Sequence, residues 1–228
     1  MSDGAVVIAG GDASEQAVPA DLDQFGMVIA ADGGLDLAER AGLAVDVVVG
    51  DMDSVTPQAL ERAAAAGALV ERSSWDKDLT DLELAVVRAR DAGARRLVVL
   101  GGAGGRLDHL LANLAVLTGP LTAAMEVEAW IGTAHVQVAR DRVRVVGPPG
   151  ATVSLLAWHG DATGVTTTGL RWPLTDAVLA AGGAVGTSNL LDAPVAEVSL
   201  RTGVVTVTRA DAAPPGGRVI DDAGRTLR

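Results

Sequence analysis

Four largely apolar runs mark the first half of the chain, and each breaks off in glycine, three of them with aspartate. Ala5-Val6-Val7-Ile8-Ala9 runs into Gly10-Gly11-Asp12, and Met27-Val28-Ile29-Ala30-Ala31 runs into Asp32-Gly33-Gly34. Val45-Asp46-Val47-Val48-Val49 runs into Gly50-Asp51-Met52-Asp53-Ser54, and Arg96-Leu97-Val98-Val99-Leu100 into Gly101-Gly102-Ala103-Gly104-Gly105-Arg106. Nearly unbroken apolar strands suit a parallel sheet covered on both faces. Between and after them the spacing turns helical, over residues 35–41, 57–66, 79–92 and 107–117. The last two carry apolar groups at 79, 82, 85, 86 and 89, and leucines at 107, 110, 111, 114 and 117.

Beyond about residue 132 the period changes to short Val- and Thr-rich alternating runs, such as His135-Val136-Gln137-Val138 and Val204-Val205-Thr206-Val207-Thr208. Turn signals such as Gly147-Pro148-Pro149-Gly150 separate them. The pattern predicts an α/β domain over 1–132, mainly a parallel sheet with flanking helices in a Rossmann-like arrangement. A smaller antiparallel β-sandwich domain over 133–210 and a flexible tail over 211–228 follow it.

Composition narrows the partners. Apolar residues make up 49% and charged residues 21%, a globular balance, with one Phe, four Trp and no Tyr, so each Trp needs its own account. A net charge of -11 argues against a nucleic-acid backbone as partner, and the lack of cysteine excludes disulfides and thiolate metal sites. The N-terminus lacks the basic start of a signal peptide and no apolar run reaches membrane-spanning length, which predicts a soluble, cytoplasmic protein without a membrane partner.

Candidate chemistry follows the strand ends, where open parallel sheets take their ligands. Asp51 and Asp53 stand two apart beyond a strand and share one face if the chain stays extended, a placement that suits Mg²⁺. Asp76-Lys77-Asp78-Leu79-Thr80-Asp81-Leu82-Glu83 is denser still. Thr80 and Glu83 read as a capping box, which explains part of the acidity as a helix start. The remaining acids and Lys77 match a polyphosphate site, which needs both signs of charge. The glycine-rich turn ending in Arg106 is a candidate phosphate cradle, although it is not a Walker sequence, and His109 and Asn113 sit on the helix face opposite the leucines.

Taken in order, Ala31-Asp32-Gly33-Gly34, Gly50-Asp51-Met52-Asp53-Ser54, residues 76–83 and Gly104-Gly105-Arg106-Leu107-Asp108-His109 resemble the thiamine pyrophosphokinase family. Thr166-Thr167-Thr168-Gly169-Leu170-Arg171-Trp172-Pro173-Leu174 and Gly186-Thr187-Ser188-Asn189 are similar to that family's thiamine-binding domain. The resemblance implies transfer of the β,γ-pyrophosphoryl group of ATP to thiamine, giving thiamine diphosphate and AMP. It implies a homodimer with the thiamine site at the subunit interface.

By the same resemblance, Asp32, Asp51, Asp53 and Asp81 would hold magnesium, with Asp51, Asp53, Asp81 and Asp108 catalytic. Gly33, Lys77, Thr80, Gly104, Arg106 and His109 would join Asp32 in meeting the nucleotide. Trp172 would stack on a thiamine ring, which its indole face suits, with Ser188 and Asn189 nearby. The competing readings are a pyrophosphokinase for another heterocyclic alcohol, such as a hydroxymethylpterin, and a non-catalytic thiamine or nucleotide binder.

Overall fold

The computed structural model describes residues 3–73 and 79–227, which fall into two compact units. The first comprises residues up to 116, 121–133 and 213 onward; the second comprises 117–120 and 134–212.

The first unit is built on a parallel sheet of β1 (Gly4–Ala9), β3 (Met27–Ala31), β4 (Val47–Gly50), β5 (Leu69–Arg72), β6 (Arg96–Gly101) and β7 (Glu126–Ile131). Its spatial order is β5-β4-β3-β1-β6-β7, so the winding reverses at β1. Every residue of β1 is buried, as its unbroken apolar run requires, and its Val6, Val7 and Ile8 side chains each contribute roughly 1.5–3 kcal/mol of burial. The expected strand positions recur within a residue or two, and β5 and β7, which carry charged positions, were not anticipated.

Three helices cover or border this sheet. α1 (Gly34–Ala41) and α3 (Asp81–Asp91) pack on β1 and β3, and α2 (Pro57–Ala65) packs on β5. The α2 start has Pro57 in its first turn and Thr56 accepting from the Ala59 N–H at 3.2 Å. The predicted capping box opens α3: Thr80 Oγ1 accepts from the Glu83 N–H at 3.2 Å, and Glu83 accepts from the Thr80 N–H at 2.9 Å. α3 therefore begins at Asp81, and Leu79 lies outside it and is exposed. α4 (Leu107–Thr118) forms where the leucine spacing predicts it, with Leu107 and Leu111 exposed.

The second unit pairs antiparallel throughout, so the chain as a whole is α/β with mixed strand directions rather than mainly parallel. Its order is β8 (Ala134–Ala139), β14 (Thr202–Arg209), β10 (Thr152–Thr168), β13 (Val195–Ser199) and β9 (Arg142–Val146). Two of the Val- and Thr-rich runs, 152–156 and 164–168, are joined in one strand, β10. Its register shifts between Trp158 and Thr163, so its first half pairs with β14 and its last residues with β13. The short β11 (Ala177–Leu179) and β12 (Asn189–Leu190) also pair with β10. Leu155, Val165, Leu170, Leu191, Val198 and Val205 lie in the core these ladders share.

The expected tail is instead part of the first unit. β15 (Arg218–Asp221) pairs antiparallel with β2 (Glu15–Val18), and Asp221 closes the following turn. Its carboxylate accepts from the Ala223 and Arg225 N–H groups at 3.0 and 2.8 Å and from Arg225 Nε at 2.7 Å. Those bonds, led by the Arg225 N–H, hold its carboxyl below the usual carboxylate range. A group with a lowered folded-state value stabilises the fold above its unfolded value and loses that contribution as pH falls. We expect Asp221→Ala to lower the melting temperature at neutral pH and to flatten the acid limb of a melting-temperature series. An unchanged acid limb would remove this turn from the stability of the segment.

Candidate functional site

The carboxyl ends of β1, β3, β4 and β6 open into a cleft of about 1240 Å³ in the first unit. It lies where the winding reverses at β1, the place an open α/β sheet offers a ligand. Gly10, Gly11 and Asp12 line it after β1, Asp32 and Gly33 after β3, Asp51, Asp53 and Ser54 after β4, and Gly102, Gly104, Gly105 and Arg106 after β6. Thr80 and Asp81 at the start of α3, and His109 and Asn113 on α4, complete that side.

Asp32, Asp51 and Asp53 each offer a carboxylate oxygen within 4.8 Å of the other two. The route to this differs from the expected one. Met52 sits between the two aspartates at φ 68°, so the chain turns rather than staying extended. Met52 is buried in the cluster that holds Leu35 and Val48, and Asp51 Oδ1 accepts from the Asp53 N–H at 3.1 Å. Ser54 Oγ donates to Asp53 Oδ1 at 2.9 Å.

Asp32 is the buried member, 7% exposed, and its Oδ1 has no hydrogen-bond partner. Burial pushes its carboxyl up; hydrogen bonding to Ser54 and the Gly33 N–H offsets part of this, and the charges of Asp81 and Asp53 add to the rise. An orphaned carboxylate oxygen among hard oxygen donors is what a divalent cation satisfies, so these residues fit Mg²⁺. Asp81 stands just outside the trio: a Cβ on Gly50 would lie 3.1 Å from its Oδ1 and 3.0 Å from the Asp32 Cβ.

Another part of the lining is bare glycine backbone. Gly104 has φ 86°, and a Cβ there would come within 2.6 Å of the Asp12 carbonyl carbon, so a side chain is excluded on both counts. Arg106 Nη2 donates to Asp108 Oδ2 at 2.5 Å and its Nε to Oδ1 at 3.2 Å, with both side chains exposed. This bond, aided by the charge it brings, holds the Asp108 carboxyl down to about 2, which makes it a weak proton acceptor. Asp108 does not line the cleft, so of the expected catalytic aspartates it is the one engaged elsewhere.

In the second unit, Trp172 is 57% exposed, although Leu170 and Leu174 on either side of it pack into the core. Asn189 is buried and grips the Trp172 backbone: its Oδ1 accepts from the Trp172 N–H at 3.1 Å, and its Nδ2 donates to the Trp172 carbonyl at 2.7 Å. Ser188 is exposed, has φ 57°, and donates its N–H to Ser154 Oγ at 3.0 Å. An exposed indole on a fixed backbone can offer a stacking face.

Lys77 and its neighbours Trp75, Asp76 and Asp78 lie outside the described residues. Of the other candidates for the nucleotide and metal, Asp32, Gly33, Asp51, Asp53, Thr80, Asp81, Gly104, Arg106 and His109 share the one cleft. The sequence reading missed Asp36, Glu39 and Arg40 of α1, and Asp222 beyond β15. The three on α1 had a signal, the polar face of an amphipathic helix beginning at a strand end. Asp222 had none, because its place depends on the β2–β15 pairing. Arg40 Nη1 donates to its carbonyl at 3.1 Å.

Residues 20–129 match the family model for the thiamin pyrophosphokinase catalytic domain, and 136–205 the model for the thiamin pyrophosphokinase vitamin B1 binding domain. The chain is 26% identical to Bacillus subtilis thiamine pyrophosphokinase over 82% of its own length and 89% of that protein's. It is 30% identical to rice thiamine pyrophosphokinase 1 over 64% of its length, and spans 59% of that longer relative. Among solved structures, the Bacillus subtilis thiamine pyrophosphokinase aligns over 91% of this chain and 98% of its own with a TM-score of 0.77 at 24% identity. The Candida albicans enzyme aligns over 91% and 90% with a TM-score of 0.70 at 15% identity. Both show a common fold.

Proposed function

Since the chain belongs to the thiamin pyrophosphokinase family, we propose that it transfers the β,γ-pyrophosphoryl group of ATP to the hydroxyl of thiamine. The observation that carries this reading is the trio Asp32, Asp51 and Asp53, with the orphaned Asp32 oxygen, in the same cleft as a wall of bare glycine backbone. A triphosphate with its cation needs both.

Asp32, Asp51 and Asp53 would hold Mg²⁺, with Asp81 beside them. The bound cation would offset negative charge on the phosphates. The glycine backbone and Arg106 would bind the phosphate oxygens, Arg106 exchanging its Asp108 partner for phosphate. Thr80 and His109 would border the nucleotide. The thiamine hydroxyl oxygen forms a bond to the β-phosphorus as the bond from that phosphorus to the bridging α–β oxygen breaks. AMP leaves with that oxygen, and the hydroxyl proton is lost. Such a transfer asks mainly for alignment and charge stabilisation, which fixed carboxylates and backbone supply.

Trp172 would stack on thiamine, whose cationic thiazolium and flat pyrimidine both suit an indole face. The homodimer, the thiamine site at its subunit interface and a cytoplasmic location rest on the family resemblance. Among the described residues no helix is long and apolar enough to cross a membrane.

The test is incubation with ATP and Mg²⁺ and either thiamine or a hydroxymethylpterin. We expect AMP and thiamine diphosphate with thiamine alone. AMP with the pterin alone, or tight thiamine binding without turnover, would overturn the assignment.

A further inference from the structure

Trp172 is held from two sides, one of them Asn189. The other is the run Thr166-Thr167 on β10. Thr167 is buried, 3% exposed, and its Oγ1 accepts from the Leu174 N–H at 2.8 Å. Its own N–H donates to the Leu174 carbonyl at 3.0 Å. On the outer side, Thr166 Oγ1 accepts from the Asp176 N–H at 3.1 Å, and the Asp176 carboxylate meets Arg201 at 2.5 Å.

The segment 170–176 is therefore fixed at its start by Leu170 in the core, at its middle by Asn189 and at its end by Thr167. Asn189 satisfies both polar groups of the Trp172 backbone, and the Arg171 N–H donates to the Leu190 carbonyl at 2.9 Å on the side before it. Thr167 bonds both polar groups of the Leu174 backbone, two residues on, and holds the side after it. A valine would suit the β propensity and the burial at position 167 as well as threonine does. The hydroxyl is thus the part the fold does not require for packing, and its partner is the backbone beside the exposed indole.

We propose that Thr167 is a positioning residue for thiamine recognition, setting the plane of the Trp172 indole through the Leu174 backbone. The proposal rests on the reading of Trp172 as the stacking platform. Holding a side chain ready before binding spares the substrate the cost of ordering it.

The experiment compares Thr167→Val, Thr167→Ser and Trp172→Ala, with thiamine KM, ATP KM, kcat and melting temperature measured for each. Loss of one buried hydrogen bond predicts that Thr167→Val raises the thiamine KM about tenfold, with kcat and the ATP KM unchanged. Thr167→Ser keeps the hydroxyl and should stay within about twofold of the parent. In the Trp172→Ala background, Thr167→Val should add no further rise, because the threonine acts only through the indole. A merely structural threonine would instead lower kcat and add its effect to that of Trp172→Ala, and so overturn the proposal; some fall in melting temperature follows from the lost hydrogen bond in either case. An unchanged thiamine KM in Thr167→Val beside a raised one in Trp172→Ala removes the clamp alone. An unchanged KM in Trp172→Ala removes the platform as well. Should Thr167→Val not fold, Thr166→Val frees the Asp176 N–H on the outer side, and a rise confined to the thiamine KM is again the expected result.

Discussion

Asp32→Asn should lose turnover by about 10²–10³-fold while melting at a higher temperature than the parent in metal-free buffer. The two effects have one origin. Asp32 combines burial, an oxygen without a partner and two acidic neighbours that raise its carboxyl, so its ionised form is held against its preference. With a folded-state value above the unfolded one, the native state binds the more protons between them, and stability falls as pH rises through that window. An amide carries no charge to repel Asp81 or Asp53, so the variant should lack that decline. Asparagine also tolerates the positive φ of 42° at this position, which leaves the backbone unchanged. Adding Mg²⁺ should raise the melting temperature of the parent and do little for the variant. Near-normal turnover in Asp32→Asn, or an equal response of both proteins to Mg²⁺, would sink the metal assignment.

The largest expected loss of stability is at Gly34, the first residue of α1. A Cβ there would stand 1.9 Å from the Ile8 carbonyl oxygen and 2.6 Å from its carbon, both backbone atoms of the central strand. Neither can yield without shifting β1 or lifting the helix. Gly34→Ala should therefore cost about 3 kcal/mol or more, read from denaturant unfolding, and depress soluble yield. Gly42, at the other end of the same helix, has φ 64° and open space around its missing Cβ, so Gly42→Ala should cost only about 1–2 kcal/mol. Equal losses at the two positions would refute the steric account.

What the sequence revealed followed from strong local patterns. The unbroken apolar runs identified the central strands, and the aspartates and glycines after them identified the cleft, because strand ends inherit their position from the sheet. Local patterns also misled where tertiary context decided. The leucine spacing of α4 predicted the helix but not its surroundings, because helical period does not report whether a partner is present, and Leu107 and Leu111 are exposed. The Asp51–Asp53 spacing suggested an extended pair, but burial of Met52 turned the chain between them. Asp222 and the role of Asn189 on the Trp172 backbone were not legible at all. Both depend on contacts between segments distant in the sequence, which neither composition nor period encodes.

The β2–β15 ladder has a consequence for how the chain is made. β2 emerges from the ribosome roughly 200 residues before the strand it pairs with, a delay on the order of 10–40 s at ordinary elongation rates. Once residues 130–132 have followed, β2 has other anchors, since Gln16 Nε2 donates to the Trp130 carbonyl at 2.8 Å and the Ala17 N–H to the Gly132 carbonyl at 2.9 Å. Residues 134–212, continuous in sequence, are all synthesised before β15 appears. The wall of the cleft that carries Asp222 is therefore laid down last, after residues 134–212 of the second unit have been synthesised.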